Sequence, residues 1–365
     1  MGENSKRQSN FELLRIYAMI FIVLNHLCQH GLWFPENCEL TTNYYLSKMF
    51  YGWTGHFGNW IFILLSGYFL PLTTFSLKKV FKLWIQIFSI SVIIGLFIYF
   101  SKISIIGFDN HNYRELGFNL ASKPATIKDL LRCFFPVLLG NNWFASSYIL
   151  FYLFSPFLSE SLKVLDQKKH LYLVLLMIIT GTVIYMIYGQ EFIKEGYLFY
   201  FIMGFYIANY IRIYNPKIFS NQIANLTISL SLIICFILWT VIVVCIERKN
   251  GFVKNHFEEV FMYPFALNRF PILLTVLFFF NFFKNLNIKY NRFINTVAGT
   301  TFGIYLIHEN RLLNKFMYHR IFNLDYFINS RFLILYMLLC VIVIFAVCSL
   351  IEFIRQKLFK VVFKI

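Results

Sequence analysis

The residues best placed to do chemistry lie in one apolar stretch, Asn10 to His30, NFELLRIYAMIFIVLNHLCQH. It is long enough to enter a bilayer, yet it carries Glu12, Arg15, Asn25 and His26. On a helix, residues eleven apart lie about 20° apart around the axis and roughly 16 Å apart along it. Arg15 and His26 therefore share a face, and Glu12, one turn before Arg15, shares that face and can pair with it. Ionisable groups are costly in hydrocarbon and normally face a bundle interior or a wet cavity. A histidine takes and releases protons near neutral pH. An arginine stays charged, so it binds an anion or holds a carboxylate but cannot be a base. One buried base in line with one fixed cation suits transfer of a group from an anionic donor to a hydroxyl. It also suits a transporter or exporter of a glycan or acyl group with His26 as proton relay. For each residue alone there is a blander account, an arginine reaching the headgroups and a histidine bonded to a neighbouring helix. The shared face favours function.

These residues need a scaffold, and composition names its class. Of 365 residues 59% are hydrophobic, 46 are Phe and only 14% are charged, and the mean hydropathy is +0.64. Such a chain reads as an all-α integral membrane protein. Period-two alternation is absent, which leaves helices as the spanning element. About ten spans are expected, near residues 11–30, 53–72, 80–101, 143–162, 171–188, 196–213, 223–245, 261–283, 294–313 and 331–351. No cleavable signal peptide is evident, and the first apolar segment reads as a retained helix. Residues 1–365 read as a single transmembrane domain. Its last part, 352–365, is a basic segment with interleaved aromatics, suited to lie on an anionic membrane surface.

The net charge of +16 would point to nucleic acid in a soluble chain. Here the cations cluster in alternate loops (Lys6 and Arg7, Lys78 to Lys82, Lys163 to Lys169, and the C-terminal tail), while the other loops are near neutral. That asymmetry predicts that both termini are cytoplasmic and names membrane lipids, not nucleic acid, as partners. Among the seven cysteines, Cys38 and Cys133 fall in expected external loops, where they could pair.

Further polar groups punctuate the apolar runs. Lys78 and Lys82, one turn apart beside Lys79, suit a polyanion, or are ordinary inner-surface charge. Ser66 and Gly67 permit close helix contact or backbone approach. Asn142, Trp143 and Tyr148 offer amides and rings suited to a sugar face, or form part of an interface belt. Arg269 is a near-membrane cation beside a proline, an anchor or a cavity group. In 295–313, Gly299, Thr300, Thr301 and Gly303 permit tight packing or a break, after which His308 and Glu309 arrive. No Walker loop, GxGxxG, HExxH, G-x-S-x-G elbow or Cys/His metal cluster is present, so no metal is expected.

Together these motifs resemble the acyltransferase 3 family, bacterial membrane O-acyltransferases that modify surface glycans and similar acceptors. The likeness rests on a basic residue, ten intervening residues and His in LLRIYAMIFIVLNH (Arg15 and His26), and on SGYFL after the second span. It is extended by NWF at 142–144 and TFGIYLIHEN at 301–310. Lys78-x-x-x-Lys82 keeps the charge and spacing of the family's R-x-x-x-R element but not its residue type. The chain resembles the stand-alone form without an added soluble domain. The resemblance implies an O-acyltransferase, most simply an O-acetyltransferase, in the bacterial inner membrane. Its donor would be cytoplasmic acyl-CoA, with no permanently bound cofactor. Its acceptor would be a hydroxyl of a surface polysaccharide or its lipid-linked precursor. His26 and Arg15 would be catalytic, with Glu12 positioning Arg15. Lys78, Lys79, Lys82 and Ser66 would bind the donor. Asn142, Trp143, Tyr148, Arg269, His308 and Glu309 would line the acceptor site. The acceptor's identity and the oligomeric state stay open.

Overall fold

A computed structural model describes residues 7–32, 41–106, 122–138, 142–188, 196–250 and 263–363. The long helices are α1 (Ser9–Gly31), α2 (Thr42–Phe69), α3 (Leu77–Phe100), α5 (Trp143–Val164), α6 (Gln167–Tyr188), α7 (Tyr197–Tyr214), α8 (Gln222–Asn250), α9 (Phe270–Lys284) and α12 (Leu333–Phe363). Three shorter ones matter to the site: α4 (Ile127–Cys133), α10 (Arg292–Ala298) and α11 (Thr301–His308). Strands β1 (Ser104–Ile106) and β2 (Ser122–Pro124) form one antiparallel pair, a small departure from the all-α expectation. Among the described residues, five helices, α1, α3, α6, α8 and α12, are long and apolar enough to cross a membrane. Each of the ten expected segments contains helix.

Where boundaries moved, the cause is local. The segment expected at 261–283 starts as a helix only at Phe270, because Pro271 occupies its first turn and lacks the N–H that an interior position needs. The segment expected at 294–313 is two helices, broken at Gly299–Thr300 and ending at His308. The second span begins eleven residues early, at Thr42. α12 runs unbroken through the basic segment from Glu352 to Phe363. Glu352 itself is fully buried and holds Arg355 through two 2.7 Å bonds, together with Gln86 and Gln356. Cys38 lies outside the described residues; Cys133 is a buried free thiol.

The chain divides into two compact units, and the boundary falls inside α1, α2 and α5. Unit 1 comprises residues 1–21, 52–76 and 147–299. Its helices approach closely where small residues permit. A side chain at Gly67 would meet the Phe205 backbone at 2.6 Å, and one at Gly204 would meet Ile63 at 2.2 Å. Asn209 Nδ2 donates to the Gly67 carbonyl (3.0 Å) and Trp60 Nε1 to that of Leu267 (3.0 Å). Asn10 Nδ2 donates to the carbonyl of Phe283 (2.9 Å), which ties the start of α1 to the end of α9.

Unit 2 comprises residues 22–51, 77–146 and 300–365. Here α11 packs on α3 and α12. Thr300 and Ser349 share a 2.7 Å hydroxyl bond, and Gly303 sits where any Cβ would lie 2.3 Å from Glu352 Cγ. His319 Nε2 donates to the His30 carbonyl (2.8 Å), fixing the end of α1.

Candidate functional site

The second half of α1 carries His26 and His30 four residues apart, on one face. The end of α11 brings His308 and Glu309 against them. His26 Nδ1 lies 2.9 Å from His308 Nε2 and 3.1 Å from Glu309 Oε2, and His30 Nε2 lies 3.2 Å from Glu309 Oε1. The side chains of His26 and Glu309 are 12% and 20% exposed, so the group works in a largely water-excluded setting.

The partners fix which nitrogens carry protons. His308 Nδ1 is 2.6 Å from the Ile304 carbonyl, which can only accept, so Nδ1 is the N–H and Nε2 of the neutral ring is bare. His26 Nδ1 must then be the donor to His308 Nε2. That leaves His26 Nε2 as a nitrogen with a free lone pair. Glu309 Oε2 makes no hydrogen bond, so its contact with His26 is a charge contact, ready to favour the imidazolium. His30 donates to the other carboxylate oxygen. An imidazole held in one tautomer, with a carboxylate beside it, is the arrangement that makes a general base.

Local sequence explains why these groups converge. The break at Gly299–Thr300 lets α11 start afresh, and its eight residues end at His308. Glu309 then takes the capping position with φ −93° and ψ 6°. Gly31 lets the end of α1 seat against Leu324 and Tyr318, where a Cβ would come within 2.4 Å and 3.1 Å. Tyr305, one turn before His308, packs its ring 6.3 Å from His26 and 6.1 Å from Phe144.

In unit 1, Arg15 Nη1 lies 3.6 Å from Glu12 Oε2, as the i,i+3 spacing predicts, and Arg7 reaches the same oxygen at 3.9 Å. Tyr148, on α5, sets its ring 6.2 Å from that of Phe201. The unbroken course of α1 keeps the eleven-residue register between Arg15 and His26.

A family model described as an acyltransferase domain matches residues 8–353. The chain belongs to the acyltransferase 3 family. No curated protein and no solved structure matches it. It is an acyltransferase, and the apolar helices make it a multi-pass membrane one.

The other expected site residues of this acyltransferase scatter between the units. Lys78, Lys79 and Lys82 lie exposed in the first two turns of α3 in unit 2. Ser66 returns its hydroxyl to the Phe62 carbonyl (2.7 Å) within α2, so its donor is spent inside the helix. Arg269 caps α9, donates to the Tyr185 carbonyl and lies over the Tyr263 ring at 4.7 Å. Those contacts give it a tethering role in unit 1. Trp143 opens α5, its ring edge-on to Phe144. Asn142 is buried beside it in unit 2.

His30 is the member of this cluster that sequence reasoning missed. Its signal was present in the i,i+4 spacing from His26. Donor atoms of His26, His308 and Glu309 lie within 4.8 Å of one another, a grouping that could ligate a divalent cation.

Proposed function

We propose that this acyltransferase moves an acyl group, most simply acetyl, from acyl-CoA to a hydroxyl of a surface polysaccharide or its lipid-linked precursor. His26 Nε2 is the base. As the acceptor oxygen attacks the thioester carbon, its proton passes to Nε2. The tetrahedral intermediate collapses, the C–S bond breaks, and the imidazolium returns the proton to the leaving thiolate of coenzyme A. Glu309 stabilises the imidazolium, and His308 holds its tautomer. Arg15, oriented by Glu12, binds negative charge on the donor. The lysines at the start of α3 suit the donor's phosphates, as cations beside backbone N–H groups at a helix N-terminus. In this reading both termini and the donor are cytoplasmic, the protein sits in a bacterial inner membrane, and the acyl group leaves on the far side.

The observation that carries the reading is the bare Nε2 of a histidine whose other nitrogen is committed to His308 beside Glu309. The test is His26→Ala in cells that carry the gene, with acetyl esters on the purified surface glycan measured by NMR. Ester is expected to disappear while the protein stays in the membrane, and unchanged ester refutes the assignment. The transport reading is separated by acetyl-CoA itself: saturable thermal stabilisation of the solubilised protein supports the enzyme, and its absence supports a proton-coupled carrier.

A further inference from the structure

The turn that follows Glu309 helps to enclose a small cleft lying wholly within unit 2. Asn310, Arg311 and Leu312 form one wall; Ser91 of α3, Asp129, Arg132 and Cys133 of α4, and Asn142 complete it. Two arginines thus line the cleft. Its one acid, Asp129, has an oxygen committed to the capping box of α4, accepting from Thr126 N (3.1 Å) and Oγ1 (2.6 Å). Asn142 is 6% exposed, and its side-chain oxygen has no hydrogen-bond partner. A buried amide oxygen left unsatisfied is destabilising unless something pairs with it. A cleft with this lining recognises a planar oxyanion next to a hydroxyl. Arginine supplies the fork that matches carboxylate or phosphate, and the amide supplies an acceptor for an O–H.

We infer that this cleft binds the acyl acceptor, and that the acceptor is an acidic sugar whose carboxylate or phosphate is held by Arg132 and Arg311 while Asn142 takes a neighbouring hydroxyl. The inference rests on the acyl-transfer reading of the His26 relay and names its substrate class. Two features assign the cleft to the acceptor and not to the donor. Arg311 is only two residues beyond Glu309, so cleft and relay share one turn of chain. Ser91 is nine residues beyond Lys82, about 14 Å along α3 from the nearest of the lysines assigned to the donor.

The test uses the full chain in lipid nanodiscs and three probes: methyl glucuronide, glucose 6-phosphate and the neutral methyl glucoside. Binding is measured by calorimetry. At least one anionic sugar is expected to bind ten- to a hundredfold more tightly than the glucoside, and the tighter of the two identifies carboxylate or phosphate as the group read. Arg311→Gln and, independently, Arg132→Gln should each lower that ratio towards one, with Arg311→Lys intermediate. Equal binding of all three sugars overturns the inference, as does failure of both anionic sugars to bind. Competitive displacement of the anionic sugar by coenzyme A also overturns it, because the cleft would then belong to the donor. The outcome is separate from that of the base assignment. His26→Ala reports on transfer, whereas the sugar-binding ratio is read without any transfer.

Discussion

Replacing Glu309 with glutamine isolates the electrostatic part of the relay. Glutamine keeps the length and a carbonyl oxygen that can accept from His30 Nε2, but removes the negative charge 3.1 Å from His26 Nδ1. At that separation a unit charge pair is worth about 5 kcal/mol at an effective dielectric constant near 20. The charge acts fully only when His26 holds a second proton, as it does near the transition state. Part of the attraction is already present with the neutral ring, and the glutamine dipole recovers a further part. The expected loss is therefore about 3–5 kcal/mol, or roughly a hundred- to several-thousandfold in kcat, with much smaller changes in KM. The assay is transfer of labelled acetyl from acetyl-CoA to isolated envelope glycan, at matched membrane abundance of variant and wild type. Glu309→Asp, which keeps the charge on a shorter arm, should fall between the two. A Glu309→Gln rate within about threefold of wild type would refute the reasoning, because the carboxylate would then serve only to end α11.

Three further outcomes follow from the same geometry. Gly303→Ala places a methyl group 2.3 Å from Glu352 Cγ, on a side chain locked by Arg355, Gln86 and Gln356. It should cost about 1–3 kcal/mol of stability, seen as a lower midpoint of thermal unfolding in detergent, and should lower transfer as well because α11 carries His308 and Glu309. Micromolar zinc should inhibit transfer and EDTA restore it, since His26, His308 and Glu309 offer three donor atoms within 4.8 Å; unchanged rates would show that the cluster keeps its hydrogen bonds instead. Burial and the neighbouring Arg311 lower the pKa of Lys315 to about 8. The lysine is then charged at pH 7 and loses its charge as the pH rises through 8, so affinity for an anionic sugar should weaken across that interval in calorimetry, with the neutral sugar as control.

Much of the scaffold was legible because its causes are local. Apolar runs placed α1, α3, α5, α7 and α12 to within about three residues at one end or both. The i,i+3 pairing of Glu12 and Arg15 followed from helical spacing alone. The errors have local causes as well. Pro271 moved the start of α9, and the small residues at 299–300 produced the break that was one of two options for that stretch. Glu352 looked like part of a surface tail because its partners, Gln86 on another helix and Arg355 three residues on, satisfy it inside the protein. The pairing of His26 with His308, 282 residues apart, has no local signature. Nor does the convergence of Arg132 with Arg311, which depends on how α4 and the end of α11 meet.

The break in the 292–308 segment is what connects scaffold to chemistry. Glu309 follows His308 by about 100° around the axis, and its N–H still bonds the Tyr305 carbonyl (3.1 Å) in helical register. The chain leaves the helix after it, and from this cap position Glu309 reaches the same nitrogen of His26 as its neighbour His308. The small residues around the break are thus required twice. They interrupt the helix, and at Gly303 they let it seat on Glu352. The seat also explains why a carboxylate is tolerated at zero exposure on α12: its charge is met by Arg355 and its remaining capacity by two glutamine amides, the condition under which a buried ion pair stands. Loosening that pair by Glu352→Gln acts on the relay only through the position of α11. It should therefore lower transfer and thermal stability together, whereas Glu309→Gln should lower transfer alone.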